Sequence, residues 1–112
     1  MQATITAAGK TIEAREIDRF VVAGQTRPQA VFEIMGGAGE LSADQIAMRL
    51  HYSEGLAAYR ARDWDVATGS LNAALAALPG DGPCMVLLTR IDTLRSNPPP
   101  AGWDGSWHLD QK

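Results

Sequence analysis

The fold is decided by the stretch TIEAREIDRFVVAGQTRPQAVFEIM, which occupies residues 11–35 of a chain of 112 residues. It is rich in β-branched and aromatic residues, and apolar and polar residues alternate on both sides of a Gly-Gln-Thr-Arg turn at 24–27. This pattern predicts a β-hairpin whose second strand opens at Pro28. The alternation slips at Ile17 and Asp18, which predicts a β-bulge there.

One face of the second strand is apolar, because Ala30, Phe32 and Ile34 share it. A two-stranded hairpin is too small to be stable unless something covers such a face, and exposed strand edges invite pairing with another chain. We therefore expect the hairpin either to pack on the rest of the chain or to pair with the hairpin of a second copy.

The composition changes after residue 35. Three glycines make residues 36–41 a candidate linker, and residues 43–96 are rich in Ala and Leu at helical spacing. Ser42 and Gln45 form a capping box, Asp63 is placed to cap a second helix, and Pro83 lies in the first turn of a third. The buried stripes predicted for these helices are Met48, Tyr52, Leu56 and Tyr59; Trp64, Ala67, Leu71, Ala74, Leu75 and Leu78; and Cys84, Leu87, Leu88, Ile91 and Leu94.

The predicted fold is therefore α+β. A terminal hairpin segment spans 1–35, a glycine-rich linker 36–41, and a helical extension 42–112 that contains three antiparallel helices and an irregular tail. The tail begins with three consecutive prolines and also contains Trp103 and Trp107. These tryptophans have two interpretations, a return over the helices to cover apolar surface or a docking segment for a partner. We prefer the first, because a short domain gains most from added aromatic burial.

The bulk composition narrows the classes of function. The net charge is −3 and no basic stripe is present, which argues against nucleic-acid binding. No apolar run is long enough to span a bilayer, and a single cysteine fits a reducing compartment, so the expected location is cytoplasmic. That residue, Cys84, stands beside apolar neighbours and is expected to have a packing role.

No motif in the sequence indicates catalysis, a cofactor or a metal. The glycines at 36–39 lack the lysine and serine or threonine of a phosphate-binding loop. His51 and His108 have no partner at ligand spacing, and Asp63 and Asp65 point apart on a helix start. We therefore predict no catalytic, cofactor-binding or metal-binding residue in this chain.

The first two helices resemble a single tetratricopeptide repeat, in which small and large residues alternate along a helical hairpin. The matching positions are Gly55, Trp64, Ala67, Leu71, Ala74, Leu75 and Pro79. One functional alternative is therefore a free-standing protein-interaction module. Its groove would be lined by residues such as Tyr52 and Tyr59, and together with Trp103 and Trp107 these are the candidate interaction residues.

A second resemblance covers nearly the whole chain. The run at 15–34 resembles the final hairpin of class III adenylate and guanylate cyclase domains, where an R-E-[IL]-D segment precedes a V-K-G-K turn, a proline and a V-Y-E-[ILV] strand. The later residues resemble the helical extension that follows many bacterial cyclase domains. The positions that carry this second match are Tyr59, Asp63, Trp64, Ala67, Asp81, Gly82, Pro83, Arg90, Asn97, Pro98, Pro99, Trp103, Asp104 and Gly105.

The cyclase resemblance implies a non-catalytic C-terminal regulatory or assembly region. The metal-binding aspartates and the transition-state residues of such cyclases lie upstream or have no counterpart, and the lysine positions of the turn are Ala23 and Gln25. This chain alone is thus expected to be inactive and to need no cofactor, with Mg or Mn required only by an intact parent cyclase. The expected partner is the remainder of a cyclase domain or a second copy, as a homodimer through the hairpin strands. The parent's substrate, ATP or GTP, stays open.

Overall fold

The computed structural model describes residues 3–7 and 10–108, with side chains described from Ile12 to Trp107. A β-hairpin is followed by three helices, which confirms the predicted α+β fold. The elements in chain order are β1 (Ala3–Ala7), β2 (Lys10–Val21), β3 (Gln29–Gly37), α1 (Ala43–Arg60), α2 (Trp64–Ala77), α3 (Gly82–Ser96) and β4 (Trp107–His108).

The sheet is built around β2. This strand pairs antiparallel with β3 along residues 12–20, and on its other edge it pairs antiparallel with β1 at residues 10–14 and parallel with β4 at residues 20–21. Neither β1 nor β4 was expected from the sequence. The strand β4 lies at the end of the proline-rich tail, and its pairing depends on the return of that tail to the sheet.

The bulge predicted in β2 is present, since the register with β3 shifts between Glu16 and Asp18. A second shift lies between Glu13 and Ala14. The predicted linker begins too early, because β3 continues to Gly37 and its last two residues pair with Ile12 and Glu13. Hydrogen bonding to the long partner strand extends β3 into a segment whose composition alone indicated a loop.

The helices begin where their caps predict. The Ser42 hydroxyl accepts a hydrogen bond from the Gln45 backbone N–H, and the Gln45 side chain accepts one from the Ser42 N–H, which completes the capping box. Asp63 caps α2 through the N–H of Val66. Asp81 caps α3 by accepting a hydrogen bond from the N–H of Cys84, a role that was not predicted from the sequence.

The hydrophobic core lies among the helices and uses the three predicted stripes. Its fully buried members are Met48, Tyr52, Leu56, Tyr59, Ala67, Leu71, Ala74, Cys84, Leu87 and Ile91. Gly55 allows α1 and α2 to approach closely, because a Cβ added there would lie 2.9 Å from both Cγ and Cδ2 of Leu71. Of β3, only Met35 packs against this core.

The hairpin packs on the helices through β2, and it does so with its charged side. The apolar side of β3 remains exposed, with Phe32 45% and Ile34 66% accessible. Of the two arrangements expected for the hairpin, packing within the chain is present. The covering expected for the apolar face is not supplied by the described residues.

Candidate functional site

Four ion pairs join β2 to the helices. The strand carries charged residues at 13, 15, 16 and 18, and each of these side chains forms a salt bridge with a residue from α1 or from the start or body of α3. The four pairs are Glu13–Arg49, Arg15–Asp81, Glu16–Arg60 and Asp18–Arg90. We refer to this set of eight side chains as the ionic junction.

Arg15 is the centre of the ionic junction. Its side chain is only 3% exposed, and its guanidinium donates to both carboxylate oxygens of Asp81, with Nη2–Oδ1 2.6 Å and Nη1–Oδ2 2.9 Å. Nε donates to Glu33 Oε1 at 3.0 Å, and the guanidinium carbon lies 4.7 Å from the centre of the Tyr52 ring. Bidentate pairing of this kind fixes the relative orientation of the guanidinium and the carboxylate as well as the distance between them.

Burial and hydrogen bonding have opposing effects on the pKa values of Arg15 and Asp81. Burial alone would lower the pKa of Arg15, but the hydrogen bonds and charge of Asp81 outweigh it and the pKa is raised. Burial alone would raise the pKa of Asp81, but the hydrogen bonds from Arg15 and Cys84 outweigh it and the pKa is lowered. Both partners are therefore held in their charged forms.

The other pairs extend the ionic junction along both helices. Nη1 of Arg49 lies 2.9 Å from Oε1 of Glu13, and Nη2 of Arg60 lies 2.7 Å from Oε2 of Glu16, so α1 is held at two points. Arg90 of α3 pairs with buried Asp18 and stacks over the Trp107 ring, with its guanidinium carbon 4.2 Å from the ring centre. The tail is thus attached to the same network.

The bulge in β2 makes this arrangement possible. In a regular strand, residues three apart such as Arg15 and Asp18 would point to opposite faces. The register shift between Glu16 and Asp18 inserts an extra residue, so both side chains reach the helices. Ile17 is left out of the pairing with β3, and its carbonyl accepts a hydrogen bond from the Tyr52 hydroxyl at 2.6 Å.

A cleft of about 400 Å³ lies between the end of β2 and the first turns of α3. Its wall is mostly apolar, and its polar groups are already engaged in the Asp18–Arg90 and Tyr52–Ile17 contacts. The lining residues are Ile17, Asp18, Phe20, Tyr52, Gly82, Pro83, Val86, Leu87 and Arg90.

Of the four candidate interaction residues, the structure brings Tyr59 and Trp103 into contact with each other. Tyr52 lies under Arg15, and Tyr59 packs edge-on against Trp103 and Trp64, with ring centres 5.4 Å and 6.0 Å apart. Both tyrosines are buried, so the exposed groove expected at Tyr52 and Tyr59 is absent from the described chain. The physical reason is that the sheet and the tail occupy the faces of α1 that a groove would need.

The structure places Trp103 over the helices. This residue packs against the core, and its indole N–H donates to the Ser106 carbonyl at 3.0 Å. Trp107 is half-buried beneath Arg90. Both rings therefore contact the body of the chain.

The hairpin turn is open and carries little charge. Ala23 and Gln25 are exposed, and Arg27 is the one charged side chain along the shallow surface formed by residues 24–27 and 29.

Cys84 is buried in the core, and burial raises the pKa of its thiol to about 12. A buried thiol held in its neutral form has the packing role expected for it.

Across residues 3–7 and 10–108, no three His, Cys, Asp or Glu side chains group in a way that could hold a metal ion. None of the described helices combines the length and the apolar character that crossing a membrane requires.

The ionic junction should make the stability of the chain sensitive to acid. Folding lowers the pKa of Asp81, so its ionised carboxylate stabilises the folded chain. This contribution to the free energy of unfolding is fully present above the ordinary carboxylate pKa of ~4 and is lost as the pH falls towards the lowered pKa. Urea unfolding at pH 7, 5, 4 and 3 should show the free energy of unfolding falling below pH 4. Asp81→Asn should flatten this dependence, whereas Asp92→Asn, at an exposed position on α3, should leave it unchanged. An identical slope for Asp81→Asn and the unaltered chain would contradict this assignment.

The ionic junction was not predicted from the sequence. Several of its residues were identified only as positions of the cyclase resemblance, and no role was predicted for Arg49 or Arg60. The available signal was the density of charge in β2, where residues 13, 15, 16, 18 and 19 are all ionisable. A strand of this kind needs partners of opposite charge wherever it is covered.

No protein-family model matches the chain, and no significant match is found among curated proteins or solved structures.

Proposed function

We propose that this chain is the non-catalytic C-terminal regulatory or assembly region of a class III nucleotidyl cyclase, in which the helical extension holds the terminal hairpin in a fixed orientation. The observation that supports this most directly is the ionic junction. Arg15, Glu16 and Asp18 belong to the segment that resembles the cyclase R-E-[IL]-D run, and all three pair with the extension.

The ionic junction suggests how such a region acts. Buried, hydrogen-bonded ion pairs resist sliding, because any displacement leaves a charge without its partner in a poorly solvated place. A movement of α1 or α3 would therefore carry β2 with it. In a cyclase whose catalytic sites form between two chains, the position of the terminal hairpin would then bias the geometry of the dimer.

The hairpin turn supports a non-catalytic role. Ala23 and Gln25 are neutral, and the surface of the turn is shallow and open to solvent. A phosphate group gains most from several converging donors or cations. Contacts to nucleotide, and the Mg or Mn that the reaction requires, belong in this proposal to the upstream part of a parent cyclase.

The alternative of a free-standing interaction module has less support. Gly55 and Leu71 do pack as in a tetratricopeptide repeat. However, the face of α1 that carries Tyr52 and Tyr59 is filled by Arg15 and Trp103. A peptide could reach it only if the sheet or the tail first moved away.

The test is a titration of the isotopically labelled chain with a class III adenylate cyclase catalytic domain that ends before its own last hairpin. We expect saturable NMR shifts at β2 and β3 amides and an increase in cyclic AMP formation when the chain is added. MgATP alone should leave the amides of residues 24–28 unshifted. The proposal is overturned if the catalytic domain causes no shifts at millimolar concentration, or if MgATP shifts the turn by itself.

Two matched variants separate binding from transmission. Asp18→Asn weakens a buried pair of the ionic junction, whereas Asp65→Asn weakens the pair with Arg95 on the helix surface, where the Asp65 side chain is 90% exposed. We expect Asp65→Asn to stimulate the catalytic domain as the unaltered chain does. Asp18→Asn should still bind, because the exposed apolar face of the hairpin is unchanged, but it should stimulate less.

A further inference from the structure

The strand β3 has an open backbone edge. It hydrogen-bonds to β2 on one side, and no described strand pairs with its other side. The other terminal strand of the sheet, β1, is five residues long, whereas β3 is nine. A free edge of this length carries a row of backbone donors and acceptors ready to pair with another strand.

The side chains of β3 are also poorly covered. No residue of the strand is buried, and Phe32 and Ile34 are among the most exposed large apolar residues of the described chain. The one charged residue of β3, Glu33, is drawn towards Arg15 and away from the open edge. A charged side chain on an edge strand normally discourages pairing with another chain, and this protection is therefore weak in β3.

We propose that β3 pairs with β3 of a second copy, in an antiparallel register centred on Phe32. The inference rests on the assembly role proposed above and names its partner. A two-fold axis perpendicular to the sheet relates the copies, so the helices of both lie on the same side and their apolar faces join on the other. Residues 29–35 of one copy then lie against residues 35–29 of the other.

The sequence of β3 selects this register. Centred on Phe32, the pairing sets Phe32 against its own copy and Ala30 against Ile34, which forms one continuous apolar stripe across both strands. Centring on Glu33 would place the Cβ atoms of its two copies about 5 Å apart, and like charges directly opposite each other are destabilising. Centring on Val31 or on Ile34 would leave Pro28 or Gly36 opposite a bulky residue. The strand is thus most complementary to itself around Phe32.

We expect the dimer to be weak. An edge of nine residues lies below the ~1,200 Å² of buried surface that stable interfaces usually reach, so dimer should appear above roughly 10 μM. Linkage within a longer parent chain would raise the effective concentration. This fits a contact that assists assembly and is not sufficient for it alone.

The first test is sedimentation equilibrium on the full chain between 1 μM and 1 mM. The weight-average mass should rise from one chain to two, and Ile34→Lys should raise the dissociation constant at least tenfold. Leu50→Lys is the matched control, because Leu50 is 53% exposed on α1 and lies outside the proposed interface. A mass of one chain at 1 mM overturns the proposal, as does equal weakening by the two variants.

The second test is the register. Under mild oxidation, Phe32→Cys should give a disulfide-linked dimer, whereas Glu33→Cys and Leu50→Cys should remain largely monomeric. The natural Cys84 does not interfere because it is buried. Faster linkage of Glu33→Cys would overturn the register. If the chain dimerises but does not bind the truncated cyclase domain, only the proposed function is contradicted. If the chain binds the domain but stays monomeric, only the proposed dimer is contradicted.

Discussion

Replacement of Asp81 by alanine should lower the free energy of unfolding by ~4 kcal/mol. The change leaves the Arg15 guanidinium almost fully buried without its main partner, and breaking a buried pair in this way costs ~3–5 kcal/mol. It also removes the cap of α3, where Asp81 Oδ2 accepts from the Cys84 N–H at 3.2 Å. Urea unfolding followed by circular dichroism at pH 7 gives the measurement. A domain of this size has ~5–15 kcal/mol to lose, so the variant should remain at least partly folded.

The control is Asp65→Ala. Asp65 also pairs with an arginine, Arg95, but on the solvent-exposed surface of the helices, where such pairs are worth less than ~1 kcal/mol. A double variant, Arg15→Met with Asp81→Leu, should recover most of the lost stability, because neither charge is then left alone. Equal losses for Asp81→Ala and Asp65→Ala would show that the ionic junction contributes little.

Gly55→Val should destabilise the chain by ~2–3 kcal/mol. A Cβ at this position meets Leu71 at 2.9 Å, closer than any ordinary contact, and the branched methyl groups add to the conflict. The helix propensity gained on replacing glycine is ~0.5 kcal/mol or less for valine, whereas overpacking a core costs ~1–3 kcal/mol. Thermal and urea unfolding of the variant should both show the loss.

Gly69 is the matched comparison, since it also lies within a helix but has no heavy atom within 4 Å of an added Cβ. Gly69→Ala should therefore stabilise the chain by ~1 kcal/mol. Introducing Leu71→Ala together with Gly55→Val should cost less than the sum of the two single changes, because the smaller side chain makes room. Simple additivity would argue that the two helices do not meet at this point.

The parts of the fold that local chemistry controls could be predicted. Ser42, Asp63 and Pro83 mark helix starts through hydrogen bonds or backbone angles within a few residues, and the apolar spacing of each helix identifies its buried side. The hairpin followed in the same way from alternation around a short turn. The bulge was visible too, because an extra residue disturbs a period of two.

The contacts that unite the sheet with the helices could not be predicted. The partners Asp18 and Arg90 are 72 residues apart, and nothing near either one specifies the other. The hairpin also presents its charged side to the helices and leaves Phe32 exposed, the reverse of the usual preference. Ion pairing compensates the burial of charge only when all partners are in place, so the choice of side depends on the complete fold.

The bulge at Ile17 has a consequence for how this chain tolerates genetic change. It sets the phase between the two halves of β2, so that Arg15 and Asp18 both face the helices. Substitution at Ile17 preserves that phase, since the contact with Tyr52 uses only the backbone carbonyl. Loss of a single codon there would instead rotate one half of the strand by half a turn and detach Arg90 or Asp81 from its partner. Natural variation at this point should therefore change the residue more readily than the length.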